Sequence, residues 1–304
     1  MKIVSDLLAV ALTVLFVFPA HAQEEKKQSG VARWVQGTPW QFDGQLPMSH
    51  TKILAQVGEK GVQDEYLSPI SHRGVDARLT YLTDFAGKPN RTWHLYQEVT
   101  LSASKLKNPA NGTEMYGAAL DYALGPSWRV IRHRGFALDL APLAALYIGA
   151  NFKTSNTNNI GNAKGHFGFD GQLRAIYQLP STVLPASFSY SARLPLLQMA
   201  FHPGFGQSYY DFISGQNGAT LPFRFGSLHN TIGITQRLLI DLPIRHLTLT
   251  VGVSQAYFRQ RLNHTTYKSG NWGAVLGVSF DLFSLSGNRS GQSRQITNTL
   301  YTNP

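Results

Sequence analysis

Along this chain, apolar residues recur at every second position far more often than at helical spacing. In "HFGFDGQLRAIYQL", Phe167, Phe169, Leu173, Ala175, Tyr177 and Leu179 oppose His166, Asp170, Gln172, Arg174 and Gln178. Similar two-faced runs cover 75–81, 93–104, 116–124, 186–194, 232–242, 247–257 and 272–283. In the last, "WGAVLGVSFDLF", Trp272, Ala274, Leu276, Val278, Phe280 and Leu282 form one apolar row. Period-two alternation puts successive side chains on opposite faces, so these runs predict β-strands. No stretch after the N-terminus stays apolar for the ~18 residues that a spanning helix requires.

Turn and loop signals separate the runs. "GPS" (Gly125–Ser127), "PSTVLP" (Pro180–Pro185) and "DLPIR" (Asp241–Arg245) read as tight turns. "KLKNPANGT" (105–113), "KTSNTNNIGNAKG" (153–165), 202–222 and "NHTTYKSGN" (263–271) read as long polar loops. Alternation alone fits a soluble β-sandwich as well as a membrane barrel. Three details favour the barrel. The apolar rows begin or end in Tyr81, Trp93, Tyr116, Tyr122, Tyr177, Tyr190, Tyr257 and Trp272, where amphipathic rings would form interfacial girdles. The polar rows carry Asp, Arg, His, Gln, Ser and Gly with almost no Lys, as a narrow lumen would. Several rows run five or six positions, the length of a tilted spanning strand of ~9–11 residues. The expected fold is all-β: a transmembrane antiparallel up-and-down β-barrel of about 12 strands, with ten as the fallback, since even numbers prevail in such barrels.

The N-terminus changes where this sheet is expected to reside. "MKIVSDLLAVALTVLFVFPAHAQ" has Lys2, a short apolar run and "AHA" before Gln23, the pattern of a cleaved signal peptide over residues 1–22. Its removal leaves 282 residues (304 − 22). They divide into an N-terminal segment (23–50), the barrel domain (51–283) and a polar C-terminal tail (284–304). There is no Cys, so stability rests on burial and hydrogen bonding. Charged residues make up 14% and aromatics 12%, few charges for a solvated surface. The net charge is +10, but the basic residues are scattered through the strands and the chain is expected to be exported. Nucleic acid is therefore not the expected partner, whereas anionic lipid phosphates account for the same charge. The expected partners are outer-membrane lipids and the barrel-assembly machinery, at the cell outer membrane.

Candidate chemistry is sparse. No nucleotide loop, zinc spacing or EF-hand pattern occurs, so neither cofactor nor metal is expected. Ser227 and His229 in "FGSLHNTIG" are two apart and share one side of a strand. A His beside a Ser activates its hydroxyl when a third group orients the imidazole. The pair resembles that of the outer-membrane phospholipases, although here Ser precedes His and no calcium loop is seen. Asp76, Arg78, Glu98, Asp121, Asp139, Asp170, Arg174, Arg193, Arg237 and Asp281 fall on polar rows. In a narrow barrel they would pair across the lumen and plug it, or line a polar solute path.

Four stretches taken together resemble an uncharacterised exported family of Bacteroidetes, the domain of unknown function 3316. They are "DEYLSPISHRG" (64–74), "NTNNIGNAKGH" (156–166), "LPLLQMAFHPGFGQSYYDFIS" (194–214) and "SLHNTIGITQRLLIDLPIRHLTLTVG" (227–252). The resemblance covers about 60–283 and implies an envelope location and a barrel, with no activity attached. Tyr66 in "YLSP" and Gly206, Tyr209 and Tyr210 in "GQSYY" are the loop candidates for binding. The expected function is an outer-membrane barrel acting as a narrow pore or envelope structural protein. The alternatives are a barrel-type lipid hydrolase or deacylase and a soluble periplasmic binding protein.

Overall fold

The computed structural model of the protein describes residues 48–86, 92–133, 135–156, 160–179, 186–204, 222–244 and 247–283. Residues 1–47, with the expected signal peptide, the loop candidates Gly206, Tyr209 and Tyr210, and residues 284–304 lie outside the described residues, as do the side chains of residues 48, 247 and 281–283.

The elements are β1 (Met48–Asp64), β2 (Ser68–Ala86), β3 (Trp93–Lys107), β4 (Glu114–His133), β5 (Phe136–Phe152), β6 (Gly161–Gln178), β7 (Ser187–Phe201), β8 (Phe223–Ser227), β9 (Thr231–Ile244), β10 (Leu247–Leu262) and β11 (Thr265–Phe283). Among the described residues there is no helix. Every strand pairs antiparallel with its neighbours, in the order β6-β5-β4-β3-β2-β1-β11-β10-β9-β7, and β7 pairs back onto β6 to close the sheet. The short β8 pairs with the end of β7 and continues the line of β9. Residues 193 and 197 of β7 face Thr235 and Ser227, so eight residues (235 − 227) oppose four (197 − 193), and Leu228–Asn230 form the bulge.

The barrel therefore has ten strand positions, and the expected twelve is corrected to the fallback of ten. The reason is strand length. Apart from β8, strands run from 14 to 20 residues, longer than the minimum for spanning, and use up chain that twelve strands would need. "GPS" is not a turn, because Gly125–Ser127 pair with Tyr96–His94 inside β4. "NHTTYKSGN" is not a long loop either. It turns at Asn263 and His264, both in the left-handed region (φ 48° and 60°), and Thr265 already begins β11.

The apolar rows face outward. Trp272 is 61% exposed and Leu276 59%, whereas Val275 between them is 5% exposed and faces inward. Val57, Val75, Leu79, Leu101, Ile148, Phe167 and Phe169 extend this outer band around the barrel. Tyr81, Trp93 and Trp128 lie on the outer face, with Trp93 and Trp128 paired in register; Tyr116, Tyr257 and Trp272 lie toward the other end. The polar rows point inward and are buried. Lysine departs from expectation, since Lys52, Lys60 and Lys164 all face the interior. Close strand approach uses glycine: a β-carbon on Gly58 would lie 1.9 Å from the carbonyl oxygen of Trp272, and one on Gly252 2.1 Å from that of Leu238.

Candidate functional site

Closing ten strands creates a lumen that side chains can fill, and these inner rows carry charge. Near the end holding the first and last described residues, Arg174 of β6 reaches β2 on the far wall. Its guanidinium donates to both oxygens of Asp84 (2.7 and 2.9 Å) and to Asp139 (3.1 Å). Arg129 also donates to Asp139 (2.9 Å), His94 lies 3.1 Å from Asp84, and Lys52 pairs with Asp241. Beside them Leu82, Tyr96, Ala123, Ala141 and Leu143 form an apolar cluster inside the barrel.

Midway, Arg237 of β9 donates to both oxygens of Glu98 on β3 (2.6 and 2.8 Å), on the opposite wall. Arg193 adds Asp121, Asp170 and Glu98 to the same group. Toward the other end, Asp64 of β1 accepts from Asn162 on β6 (2.9 and 3.0 Å) and Asn151 on β5 (3.1 Å), and Lys164 lies 3.4 Å away. Nine of the ten charges read as lumenal are thus placed in ion pairs; Asp281 has no described side chain.

Between the middle and upper groups lies a cavity of about 130 Å³, room for on the order of ten waters. Lys60, Arg78, Lys164, Arg193 and Arg237 contribute its positive charge and Glu98, Asp121 and Asp170 its negative charge. Tyr147, His166 and Phe258 stack in sequence across it, with ring centroids 4.9 and 5.5 Å apart. Lys164 sits over the Tyr267 ring at 4.3 Å, a cation–π contact. Among the described residues no group of His, Asp and Glu has the arrangement of a metal site.

The end bearing the longer connections is pinned from inside. The β1–β2 turn tucks Tyr66 and Leu67 against Val62, Leu106, Met115 and Tyr267. Tyr66 is 5% exposed, and burial, with the Asp64 carboxylate beside it, raises its phenol above the ordinary value. The structure thus uses this binding candidate as packing. His202 anchors the 202–222 connection: its Nδ1 bonds to Gln260 Oε1 (3.1 Å) and its Nε2 to Thr265 Oγ1 (2.8 Å). Its backbone N–H donates to Pro222, so both ends of the connection meet at the β10–β11 turn. Burial, reinforced by Lys164, pushes the His202 imidazole down to about 4.

Ser227 Oγ and His229 Nδ1 lie 2.5 Å apart, but across the turn that follows β8 and not along one face of a strand as expected. They sit on the β8–β9 bulge, held by the Asn230 side chain, which accepts from the Ser227 N–H (2.9 Å). His229 is exposed, and among the described residues no carboxylate bonds to its ring. The pair has a nucleophile and a base, without a carboxylate to orient the base among the described residues.

Lys52, Lys60, Asp64, Asp84, His94 and Lys164 are site residues that sequence reasoning passed over. His94 already stood on the polar row of the 93–104 run without being taken as a site residue, and Asp84 is in phase with the inner row of β2, a signal that extending the 75–81 run toward the 87–92 connection would have revealed.

An antiparallel sheet closed on itself, apolar outside and charged within, is the architecture of outer-membrane β-barrels. The chain belongs to the family described as "Protein of unknown function (DUF3316)", whose model matches residues 11–289. No curated protein matches it in sequence. Among solved structures it is similar to the outer membrane protease OmpT from Escherichia coli (7% identity, 78% of this chain, 97% of that one, TM-score 0.48). It is also similar to the β-domain of the Bordetella autotransporter Brka (11% identity, 80% and 100% covered, TM-score 0.37). A third is Ail, the attachment invasion locus protein of Yersinia pestis (11% identity, 78% and 99% covered, TM-score 0.26).

Proposed function

We propose that the protein is an outer-membrane barrel with a sealed lumen, exported by a cleaved leader and serving as an envelope structural component rather than a pore. The observation that carries this is the bridging of opposite walls by Arg174–Asp84 and Arg237–Glu98. A solute path along the axis would require both bridges to part, stripping the buried Asp84 and Glu98 carboxylates of the guanidinium that bonds both their oxygens. The outer band supports the membrane setting, because a non-helical backbone crosses lipid only as a closed sheet. The longest connection, 202–222, and the 108–113 and 153–160 loops leave from the end opposite the first and last strands' outer ends. Long loops outside and short turns inside are the rule for such barrels, so this end faces outward. Conductance of the protein reconstituted in planar bilayers tests the reading: a flat baseline is expected, and steady ohmic steps in the wild type contradict it.

The hydrogen-bonded Ser227 and His229 favour a second reading, a lipid hydrolase or deacylase acting at the bulge. Ester hydrolysis on lipid substrates that disappears in both Ser227→Ala and His229→Ala supports it. No hydrolysis by the wild type, or rates unchanged in the variants, removes it.

A further inference from the structure

Antiparallel pairing places residues directly opposite one another, and like charges in that relation repel at close range. On the outward face this happens twice. Arg73 on β2 stands opposite Lys107 on β3, and Arg259 on β10 stands opposite Lys268 on β11. Arg73, Lys107 and Arg259 are exposed; among the described residues Arg73 and Arg259 have no carboxylate partner, Lys107 stands in register with Glu114 of β4, whose carboxylate is held by Lys105 (3.2 Å), and Lys268 bonds to the neutral Gln63 (3.3 Å). Arg261 extends the second pair toward the rim. Acidic groups are close but otherwise placed. Glu59 lies lower on β1, opposite Val75 and Trp272, and Glu65 accepts from the Thr266 backbone.

The two pairs flank a bare strip. Between β2 and β10 run β1 and β11, where Gly61 and Gly270 pair in register on the outer face. A β-carbon on either would meet nothing closer than 3.7 Å, so the surface there is open rather than filled. Arg73 is level with Gly61 and Gly270, and Lys268 stands two residues further along β11, so two strand spacings and two residue rises, about 12 Å in all, separate the inner members of the pairs. The outer apolar residues begin just below: Val75, Tyr257 and Trp272. Cations sitting just above an aromatic and aliphatic band are at headgroup height.

We propose that this strip is a binding site for a phosphate-bearing lipid of the surrounding leaflet, the headgroup seated over Gly61 and Gly270 between the Arg73–Lys107 and Arg259–Lys268 pairs. Phosphate oxygens accept from guanidinium and ammonium groups on both sides, turning two repulsive register pairs into two bridged ones. The acyl chains run down over Val57, Trp272 and Leu276. The site rests on the membrane reading given above.

The test uses the full protein in neutral detergent, with phosphatidic acid, diacylglycerol or inorganic phosphate added and retention read by native mass spectrometry. Phosphatidic acid is expected to stay bound, and neither diacylglycerol nor inorganic phosphate. Arg73→Gln with Lys107→Gln, or Arg259→Gln with Lys268→Gln, should each weaken retention about 25-fold, at about fivefold per cation. Heat-modifiable gel mobility confirms that the variants are folded, and Arg132→Gln, an exposed cation at the far end, should bind as the wild type does. The inference is overturned if the folded variants retain the lipid as well as the wild type does, if Arg132→Gln loses it equally, or if the wild type retains none. A protein that stays in solution without detergent overturns the membrane reading instead, whatever it binds.

Discussion

Replacing Arg174 by Ala probes the bridge on which the sealed lumen depends. The guanidinium donates twice to Asp84 and once to Asp139, and also lies 2.8 Å from His94 Nε2; the side chains of both carboxylates are 0% exposed. Removing one partner of a buried pair typically costs about 3–5 kcal/mol, because the remaining charge stays desolvated without compensation. Here Asp139 keeps Arg129 and Asp84 keeps His94, which places the loss near the lower end, ~3 kcal/mol. Urea unfolding in detergent, followed through the fluorescence of the five Trp residues, reads it directly. Arg174→Met combined with Asp84→Leu removes both charges and fills the space, so it should recover to within ~1 kcal/mol of the wild type. A single-variant loss below ~0.5 kcal/mol, the size of an ordinary surface substitution, refutes the reasoning. So does a double variant less stable than the single one.

Other consequences follow from named contacts. Gly58→Val should abolish the heat-modifiable folded band, since its β-carbon would sit 1.9 Å from the Trp272 carbonyl oxygen; a normal band contradicts the close approach. His202 is held near 4 while an unfolded His titrates at about 6.5. Between these values the unfolded segment binds the proton first, so stability of the 202–222 anchor falls as pH drops from 6.5 toward 4, by up to ~3 kcal/mol, and levels off below. Amide exchange at Gln260 and Thr265 should accelerate over that window, and His202→Gln should flatten the response. Tyr66→Ala should destabilise the barrel by ~3 kcal/mol through lost packing, and any binding assay should show only this loss of stability if Tyr66 acts as a packing residue.

The outer faces of most strands were legible because lipid-facing and lumen-facing rows differ in chemistry wherever both are well populated, as in β6 and β11. Besides the short β8, two strands escaped. In β5, Ala137, Ala141, Leu143 and Ala145 turn inward while Leu138, Leu140 and Leu146 turn outward, so both rows are apolar and no period shows. In β1, the inward row carries Lys52, Gln56 and Lys60 beside Leu54 and Val62, and Glu59 stands outside, which blurs the alternation from both sides. Buried Lys was excluded on the expectation that a lumen prefers compact Asp–Arg pairs; long ammonium stems instead reach across to Asp241 and Asp64. The pairing of Ser227 with His229 was legible in their two-residue spacing, though read as one face of a strand, where the residues stand about 7 Å apart, and not as the turn that joins them. The bulge that carries it was not, since the extra residues become visible only against the register of β7.

The sealed, lipid-facing barrel is tested most directly by single-cysteine labelling in reconstituted membranes, which the absence of native Cys makes clean. Cysteines at 272, 274 and 276 point outward and should react with a lipid-soluble maleimide but not a membrane-impermeant one. Cysteines at Val275 and Leu239, both 5% exposed toward the lumen, should react with neither. Water-soluble labelling at 275 and 239 contradicts the seal, and water-soluble labelling at 274 and 276 contradicts the membrane.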